Sequence, residues 1–246
     1  MLLLDLFADP DWPISGRPVL VDLFAGEGGC TAGYEAAGFA VFAVDSNPAA
    51  VTNNPASWGA WGGDWSAGLA FALETLDVAA IHASPPCQAY SITRHAHNVA
   101  HPRMIDDVRA ALVATGLPYV IENVDGAPLL DPVTLCGSQF ELTTTDEDGT
   151  PLHLKRHRLF ESNRDLKAPG PCVHTPGVQW AGAYGGARRD KVEARLVRKG
   201  GYVPASLDVL RRLLGVDWMT EAGVFQAIPP VYTEHLGRQL LTALER

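Results

Sequence analysis

Residues 18–29 read Pro-Val-Leu-Val-Asp-Leu-Phe-Ala-Gly-Glu-Gly-Gly, and this stretch determines how the rest of the 246-residue chain is interpreted. It opens as a short apolar run, which is typical of a buried strand, and closes as a glycine-rich turn. An alanine-rich stretch with helical spacing follows as far as Ala37, and Gly38 is a suitable helix stop. A buried strand, a glycine turn and a helix in this order predict the first unit of an α/β sheet.

The same alternation continues further along the chain. Apolar runs at Phe39–Val44, Val78–Ala83 and Tyr119–Ile121 each end in polar residues. Strands that alternate with helices predict a parallel sheet covered by helices on both faces. The predicted fold class is therefore α/β, a doubly wound, Rossmann-like sheet, in which ligands bind at the carboxyl ends of the strands.

The pattern changes after about residue 162. Residues 163–202 are rich in Gly, Pro, Arg and Lys and show no clean period, whereas helical spacing returns over Ser206–Leu214. A last helix is predicted after Pro229-Pro230. We therefore predict one domain from residues 17–162 plus 225–246, and a small irregular second lobe from residues 163–224.

Charge is distributed unevenly along the chain. The formal net charge of −9 argues against a generic nucleic-acid binder, which usually carries a basic surplus. Residues 188–199, however, hold six basic residues against two acids, so this basic strip carries +4 and the remaining chain −13. The six are Arg188, Arg189, Lys191, Arg195, Arg198 and Lys199. Basic charge is therefore concentrated in one place.

The four cysteines lie far apart in the sequence and form no Cys-x-x-Cys pair. This spacing predicts neither a zinc site nor a disulfide framework, and free thiols in a reducing compartment fit better. The apolar start, Met1–Leu4, breaks at Asp5 and has no basic region, so it does not resemble a signal peptide. Because no apolar stretch reaches membrane-spanning length either, we expect a soluble cytoplasmic protein without a membrane partner.

The glycine turn and two acids at strand ends form a candidate ligand site. Glycines after a buried strand let the backbone approach a ligand and let the next helix face it with its N-terminus. Asp45 closes the second apolar run, where an acid accepts hydrogen bonds from ribose hydroxyls. Asp64, in Gly62-Gly63-Asp64-Trp65, is suited to an adenine amine. The alternatives are an ordinary strand-to-helix turn and two exposed turn aspartates.

Cys87 lies in Ser84-Pro85-Pro86-Cys87-Gln88, directly after a predicted buried strand. Two prolines fix the backbone ahead of the cysteine, so the thiol is held on a rigid ledge. An isolated cysteine is more often a small buried hydrophobic residue. A thiol in a stiff loop is better placed for nucleophilic attack, which requires the thiolate and therefore nearby positive charge.

Two further sets of charged residues adjoin predicted strands. Glu122 follows a buried run in Ile121-Glu122-Asn123-Val124, and Arg156 and Arg158 precede an apolar pair. A strand-end glutamate is usually a solvated or capping group, and alternating arginines usually line a solvated edge. Neither set is specific by itself.

The ordered set of these elements resembles the DNA cytosine-5 methyltransferase family. The family motifs match, in family order, Asp22–Gly29, Pro86–Gln88, Glu122–Val124, and Arg156 with Arg158. Weaker matches follow at Ser206–Met219 and at Ala227–Pro230 with Gly237.

The chain also departs from the family pattern. Leu154 replaces the usual Gln of the arginine motif, and Gln226 replaces the usual Asn of the closing motif. The variable region between Phe160 and Ser206 has only about 45 residues, which is small for a target-recognition domain. We therefore expect a short target site or modest sequence selectivity.

The resemblance implies transfer of a methyl group from S-adenosylmethionine to carbon 5 of a flipped-out cytosine in double-stranded DNA. It implies Cys87 as nucleophile, Glu122 as the acid at ring nitrogen 3, Arg158 on the carbonyl oxygen, and Arg156 as support for the site or a phosphate. The cofactor residues that it implies are Phe24, Ala25, Gly26, Gly28, Gly29, Asp45, Asp64, Trp65 and Pro86.

DNA contacts are expected from two segments. The segment Ser91–Met104, after the cysteine, is interpreted as a mobile loop that closes on the flipped base, with a solvated loop as the alternative. Its three histidines are weak evidence for a metal, so no metal site is predicted. The expected DNA-binding residues are Gln88, Ser91, Arg94, Arg103, Arg188, Arg189, Lys191, Arg198 and Lys199.

Three alternatives stay open at this point. The substrate could be RNA, the protein could be a catalytically silent binder of cofactor and DNA, or it could methylate a small molecule. The complete set of catalytic motifs argues against the last two. A restriction system or a phage genome is the expected setting, and the protein is expected to be a monomer.

Overall fold

The computed structural model describes residues 16–87, 103–182 and 202–245. Its larger sheet has seven strands in the order β3-β2-β1-β4-β5-β9-β6. The first five are parallel, whereas β9 runs antiparallel to both β5 and β6. The strands are β1 (Val19–Leu23), β2 (Ala40–Asp45), β3 (Gly59–Gly62), β4 (Val78–Ala83), β5 (Tyr119–Asn123), β6 (Val133–Leu135) and β9 (Arg158–Ser162).

Helices cover both faces of this sheet, as the alternating pattern predicts. The helices of the described residues are α1 (Gly29–Ala37), α2 (Pro48–Thr52), α3 (Trp65–Thr75), α4 (Ile105–Thr115), α5 (Leu207–Leu214), α6 (Glu221–Gln226) and α7 (Pro230–Leu244), with a 3-10 turn at Gly137–Phe140. On one face α3 and α4 pack against the sheet, and on the other face α1 packs against α7. The predicted doubly wound class is confirmed.

The core follows from the two-residue period of the strands. Along β1, Leu20 joins the cluster under α1 and α7, whereas Val21 and Leu23 join the cluster under α3 and α4. A strand that is buried on both faces needs apolar residues at nearly every position, which explains the continuous apolar runs in the sequence. Gly38 ends α1 with a φ of 120°, as the sequence predicts.

A second, three-stranded sheet lies beside the larger one in the order β10-β8-β7. Its strands are β7 (Thr143–Thr145), β8 (Pro151–Leu154) and β10 (Gln179–Ala181), and they pack against α5 around Leu152, Leu210 and Leu213. Two of its strands therefore precede residue 163, where we predicted the second lobe to begin. The boundary does not coincide because the chain leaves the large sheet for β7 and β8 and then returns to it as β9.

Among the described residues, no helix combines the length and the apolar character needed to cross a membrane.

Candidate active site

The predicted functional groups meet at one edge of the large sheet, because parallel strands present their carboxyl ends on the same side. The glycine turn follows β1, Cys87 follows β4, and Glu122 lies near the end of β5. Arg158 begins β9 instead, but β9 runs antiparallel to β5, which brings its first residue to the same edge. A cavity of about 270 Å³ opens there and is lined by residues from all four of these segments.

The glycine turn leaves open space beside α1. Gly26 has a φ of +54°, and a Cβ built there would meet nothing within 4 Å. Gly28 caps α1 without any side-chain hydrogen bond, and the first turn of that helix holds no acid. The first amide groups of α1 are therefore free of an acidic neighbour in their own turn, which suits an anionic ligand group.

Asp45 and Asp64 lie at strand ends, as predicted, but each already serves the local backbone. The Asp45 carboxylate accepts hydrogen bonds from the amide groups of Gly26 (2.9 Å) and Asn47 (2.8 Å). Asp64 caps α3 by accepting from the amides of Ser66 and Ala67, at 2.9 and 3.1 Å. These bonds lower the pKa of Asp64, with the Ser66 hydroxyl as the main cause. The sequence offered an exposed turn aspartate as the alternative and did not indicate the capping role.

The residues predicted to hold a cofactor divide into two groups. Phe24, Ala25, Gly26, Gly29 and Pro86 line the cavity. Gly28, Asp45, Asp64 and Trp65 are not among the lining residues. Trp65 instead packs on the Phe24 ring, at 5.9 Å between the ring centroids. The structure thus brings the glycine turn and the Pro86 loop together around the cavity.

The loop that carries Cys87 is held by a side chain of the neighbouring strand. The Asn123 amide donates a hydrogen bond of 2.9 Å to the Pro85 carbonyl oxygen, and this side chain is buried. Burial raises the pKa of the Cys87 thiol, and the charge of Glu122 raises it further, whereas Arg158 and Arg156 oppose the shift. The predicted positive neighbours are present, but they only partly offset burial.

Glu122 and Arg158 form an ion pair inside the cavity wall. Their Oε1 and Nε atoms are 3.2 Å apart, with side-chain exposures of 7% and 11%. Burial raises the pKa of Glu122, while Arg158, the Ser84 hydroxyl and Arg156 act in the opposite direction. A buried carboxyl whose pKa is raised takes up a proton more readily than an exposed one.

A buried hydrogen-bonded chain leads to Glu122 from the interior of the sheet. The Tyr34 hydroxyl lies 3.0 Å from His82 Nδ1, and His82 Nε2 lies 2.9 Å from the Ser84 hydroxyl oxygen. Ser84 in turn bonds to the Glu122 carboxyl. Burial lowers the pKa of His82 to about 3, so the ring is neutral and its one N–H faces Ser84 if Tyr34 donates to Nδ1. The sequence analysis missed both His82 and Ser84.

Arg156 is buried beside the cavity and is not among the residues that line it. Its guanidinium donates a hydrogen bond of 2.8 Å to the Phe225 carbonyl oxygen, and its own carbonyl accepts one of 2.7 Å from Tyr232. Both bonds tie the arginine turn to the last two helices. This position fits support of the site, which is one of its two predicted roles, better than contact with a phosphate.

The C-terminal part of the chain closes the cavity. Glu27 accepts hydrogen bonds of 2.6 Å from the Thr220 amide and 2.9 Å from the Asn53 side chain. Trp218 donates from its indole to the Glu27 carbonyl oxygen. Further lining residues that the sequence analysis did not assign to the site are Asn47, Ala50, Met219, Ala222, Gly223 and Phe225. Because such contacts connect distant segments, no local pattern in the sequence could indicate them.

Most of the expected DNA-binding residues lie outside the described part of the chain. They are Gln88, Ser91, Arg94, Arg188, Arg189, Lys191, Arg198 and Lys199, together with the three histidines of the segment after Cys87. Arg103 is described; it is exposed just before α4 and is not among the cavity-lining residues. The basic strip and most of the predicted loop stay predictions.

Two cysteines and two histidines meet outside this cavity. The ligating atoms of Cys136, His157, Cys172 and His174 all lie within 4.8 Å of one another. This finding goes against the expectation of scattered cysteines and no metal site. The spacing rule misses the cluster because its members come from three separate segments, which approach one another only when β6 pairs with β9.

Comparisons with known proteins agree with this geometry. Residues 19–127 match the family model described as C-5 cytosine-specific DNA methylase, a range that includes the glycine turn, Cys87 and Glu122 but ends before Arg156. No curated protein matches the sequence.

Two solved structures are similar in fold. One is described as a DNA modification methyltransferase encoded within a prophage (E. coli); it is 15% identical, with a TM-score of 0.59, over 94% of this chain and 100% of that chain. The other, precorrin 8w decarboxylase from Methanobacterium thermoautotrophicum, is 14% identical over 58% of this chain and 80% of that chain. Its TM-score of 0.37 is too low to support any inference.

Proposed function

We propose that the chain is a DNA cytosine-5 methyltransferase, which transfers a methyl group from S-adenosylmethionine to carbon 5 of a flipped-out cytosine in DNA; the family model that matches residues 19–127 supports this. The proposed reaction proceeds through a covalent adduct with Cys87. One observation carries the proposal. The glycine turn, the Cys87 loop, Glu122 and Arg158 line a single cavity, so a cofactor and a base could bind there side by side.

The residues around the glycine turn fit the proposed cofactor. The open space beside Gly26 and the α1 N-terminus suit the amino-acid part of S-adenosylmethionine, since its carboxylate would face backbone amides. Asp45 lies at the end of β2, where a ribose would lie in a Rossmann-like fold. When bound, the cofactor supplies an electrophilic methyl group on a sulfonium.

Cys87 acts as the nucleophile in the proposed mechanism. Its thiol gives up its proton, assisted by the charges of Arg158 and Arg156, and the thiolate sulfur bonds to carbon 6 of the cytosine. The addition makes carbon 5 nucleophilic, so it would take the methyl group as the bond between that methyl and the sulfonium sulfur breaks, which would leave the cofactor as a neutral thioether. Loss of the carbon-5 proton to water and of the Cys87 thiolate then restores the double bond and releases 5-methylcytosine.

Glu122 and Arg158 stabilise the ring during this addition. Glu122, whose pKa is raised by burial, donates a proton to ring nitrogen 3. This proton neutralises the negative charge that the thiolate addition places on the ring. Arg158 reaches the same part of the cavity and is suited to donate to the carbonyl oxygen at position 2. Their contact of 3.2 Å holds the two side chains next to each other before the base binds.

The cytosine must leave the duplex to reach this cavity. A thiol cannot approach carbon 6 within stacked base pairs, so base flipping is part of the proposal. Phosphate contacts are assigned to Arg103, to the other loop residues after Cys87, and to the basic strip at residues 188–199. These contacts provide affinity, whereas readout of the target sequence requires base-edge contacts.

The test is covalent trapping on duplex DNA that carries 5-fluorocytosine, in the presence of S-adenosylmethionine. Fluorine replaces the carbon-5 proton, so the adduct cannot break down and the protein migrates as a stable DNA complex. Cys87→Ala should give no complex, while Cys30→Ala, which removes a second thiol of the same cavity that the mechanism does not use, should still give one. A complex that survives Cys87→Ala, or none with the unchanged protein on any DNA, would refute the mechanism.

A second arm separates the substrates. Transfer of radioactive methyl groups to cytosine-containing DNA is compared with transfer to RNA of the same sequence. We expect incorporation into DNA. Incorporation into RNA alone would favour an RNA methyltransferase, and binding of cofactor and DNA without either product would indicate a silent homologue.

A further inference from the structure

The geometry points to a structural zinc site formed by Cys136, His157, Cys172 and His174. The four residues come from three segments: the end of β6, the turn between β8 and β9, and the irregular chain after β9. None of them is among the residues that line the active-site cavity. The proposed site is therefore separate from the methyl-transfer machinery.

The distances between sulfur and nitrogen fit tetrahedral coordination. His174 Nε2 lies 3.4 Å from Cys136 Sγ and 3.0 Å from Cys172 Sγ, and His157 Nε2 lies 3.2 Å from Cys172 Sγ. In a tetrahedron with Zn–S of about 2.3 Å and Zn–N of about 2.0 Å, the sulfur-to-nitrogen edge is roughly 3.5 Å. The three observed sulfur-to-nitrogen distances are slightly shorter than this edge, and every pair of ligating atoms lies within 4.8 Å, so small shifts of the side chains would admit the ion.

The choice of ligands favours zinc and a structural role. Two thiolates and two imidazoles are typical ligands of zinc, whereas magnesium, calcium and manganese take oxygen ligands. Coordination would release two thiol protons to solvent, and the two thiolates would neutralise the charge of the ion. Four protein ligands fill a tetrahedral shell and leave no position for a substrate or an activated water.

Contacts with neighbouring residues hold the ligand residues in place. The Ser138 hydroxyl donates a hydrogen bond of 3.3 Å to Cys136 Sγ and lies 3.6 Å from Cys172 Sγ, a contact that stabilises thiolates. The Gln139 side chain accepts a hydrogen bond of 2.7 Å from the Cys136 amide and donates one of 2.6 Å to the Gly170 carbonyl oxygen. That bridge fixes the β6 turn against the segment that carries Cys172. Trp180 packs edge-on against the His174 ring at 5.2 Å.

The site would pin the turn that carries the two arginines. His157 lies between Arg156 and Arg158, and its carbonyl oxygen accepts a hydrogen bond of 2.8 Å from the Arg158 guanidinium. Zinc on the His157 ring would therefore fix the start of β9, from which Arg158 reaches Glu122. This consequence for catalysis rests on the proposed function, whereas the metal site itself does not.

Metal content tests the site directly. The full-length protein, expressed with zinc in the medium and freed of loosely bound ions, should contain about one zinc per chain by elemental analysis. Cys172→Ser changes the most exposed ligand and should lower the zinc content at least tenfold, while circular dichroism checks that the chain folds. Cys87→Ala is the matched control, since it removes the thiol of the other site and should retain the zinc.

A spectroscopic readout complements the metal count. Protein freed of zinc and reloaded with cobalt should show the intense visible bands of tetrahedral Co²⁺ and a near-ultraviolet thiolate-to-cobalt band. His157→Asn should weaken both the visible bands and the thiolate-to-cobalt band. Cys87→Ala should keep both bands and serves as the reference. The inference is overturned if the protein holds no zinc when supplied with it, if Cys172→Ser retains it, or if mass spectrometry finds a disulfide between Cys136 and Cys172. Because metal content is measured without DNA, a failure here is distinguishable from a failure of 5-fluorocytosine trapping.

Discussion

Arg158 Nε lies 3.2 Å from Glu122 Oε1, although the two residues belong to strands that run in opposite directions. The pair forms because Arg158 opens β9 just where β5 ends. Arg158 is the largest influence that opposes the rise in the Glu122 pKa caused by burial. The pair therefore adjusts how readily a buried carboxyl takes up a proton at the cavity wall.

Arg158→Ala should impair both stability and catalysis. Removing one partner of a buried ion pair typically costs about 3–5 kcal/mol, and losing a stabilising donor lowers a rate about 10²–10³-fold. The pKa of Glu122 should rise further, so any limb of the pH–rate profile that reports this group should move to higher pH. Single-turnover methyl transfer across pH checks this.

Arg109→Ala provides the matched control for that change. Arg109, on α4, pairs at 2.7 Å with the buried Glu161 of β9, and neither residue lines the cavity. Its loss should lower the free energy of unfolding but leave the pH–rate profile in place. If the two variants gave the same profile, Arg158 would have only a structural role.

Ser84→Ala should move the same profile through a different contact. The Ser84 hydroxyl lowers the pKa of Glu122, and its loss also leaves the buried His82 Nε2 without its acceptor. We expect a higher apparent pKa in the rate profile and a stability loss of about 1–3 kcal/mol. Ser57→Ala removes a hydroxyl that bonds to the Asn54 carbonyl oxygen, and it should not shift the profile.

Asn123→Ala should slow formation of the covalent adduct more than it weakens cofactor binding. Its amide holds the Pro85 carbonyl oxygen, so its loss releases the ledge on which Cys87 is placed. We expect trapping on 5-fluorocytosine DNA to slow at least tenfold, since misplacing a reacting atom by about 1 Å can cost 10²-fold. The rate of adduct formation is measured by rapid mixing and gel separation.

Asn163→Ala is the counterpart at the opposite end of β5. The Asn163 side chain accepts from the Tyr119 amide and donates to the Leu117 carbonyl oxygen, at 3.0 and 2.9 Å. It should destabilise the protein less than Asn123→Ala, because Asn163 is exposed, and it should not slow the trapping of folded protein. Equal slowing in both variants would mean that general loosening of the sheet, not the Pro85 contact, limits the reaction.

Asp22 should make the protein less stable as the pH rises. This carboxyl is fully buried, its Oδ2 accepts 2.7 Å from the Thr31 hydroxyl, and its Oδ1 has no hydrogen-bond partner. Burial raises its pKa from 3.8 to about 7, so the folded protein keeps a proton that the unfolded chain releases. The contribution of Asp22 to the free energy of unfolding is therefore largest below pH 3.8. It falls by up to about 4 kcal/mol as the pH rises to 7.

Asp22→Asn should remove that fall. Urea unfolding at pH 5 and pH 8 is expected to show a smaller difference for the variant, even if the amide costs some stability at both pH values. Asp208→Asn, at an exposed carboxyl on α5, should preserve the pH dependence of the unchanged protein. An undiminished difference in Asp22→Asn would show that other groups cause it.

Local patterns were sufficient to predict the parts of the site that lie next to their own strands. The glycine turn and Cys87 each follow a buried run, so strand prediction alone puts them at one edge of the sheet. Asp64 shows the limit of such patterns, because a strand-end acid and a helix cap look the same until Ser66 and Ala67 are seen to donate to it.

Contacts between distant segments could not be predicted in the same way. The sequence gives no indication that β9 enters the sheet between β5 and β6, and this insertion brings together both the Glu122–Arg158 pair and the cluster of Cys136, His157, Cys172 and His174. The early start of the second sheet was missed for a related reason. Strands β7 and β8 have only three and four residues, too few to establish a period.

The hydrogen bonds that close the cavity also bear on how the chain folds. Trp218 reaches the Glu27 carbonyl oxygen across 191 positions of sequence, and Thr233 reaches that of Cys30 across 203. Pairings of such long range form late, because the entropy of closing the intervening loop is lost before the contact is gained. We therefore expect the glycine turn to acquire its walls late in folding. During refolding, recovery of the cavity should lag behind recovery of helical structure.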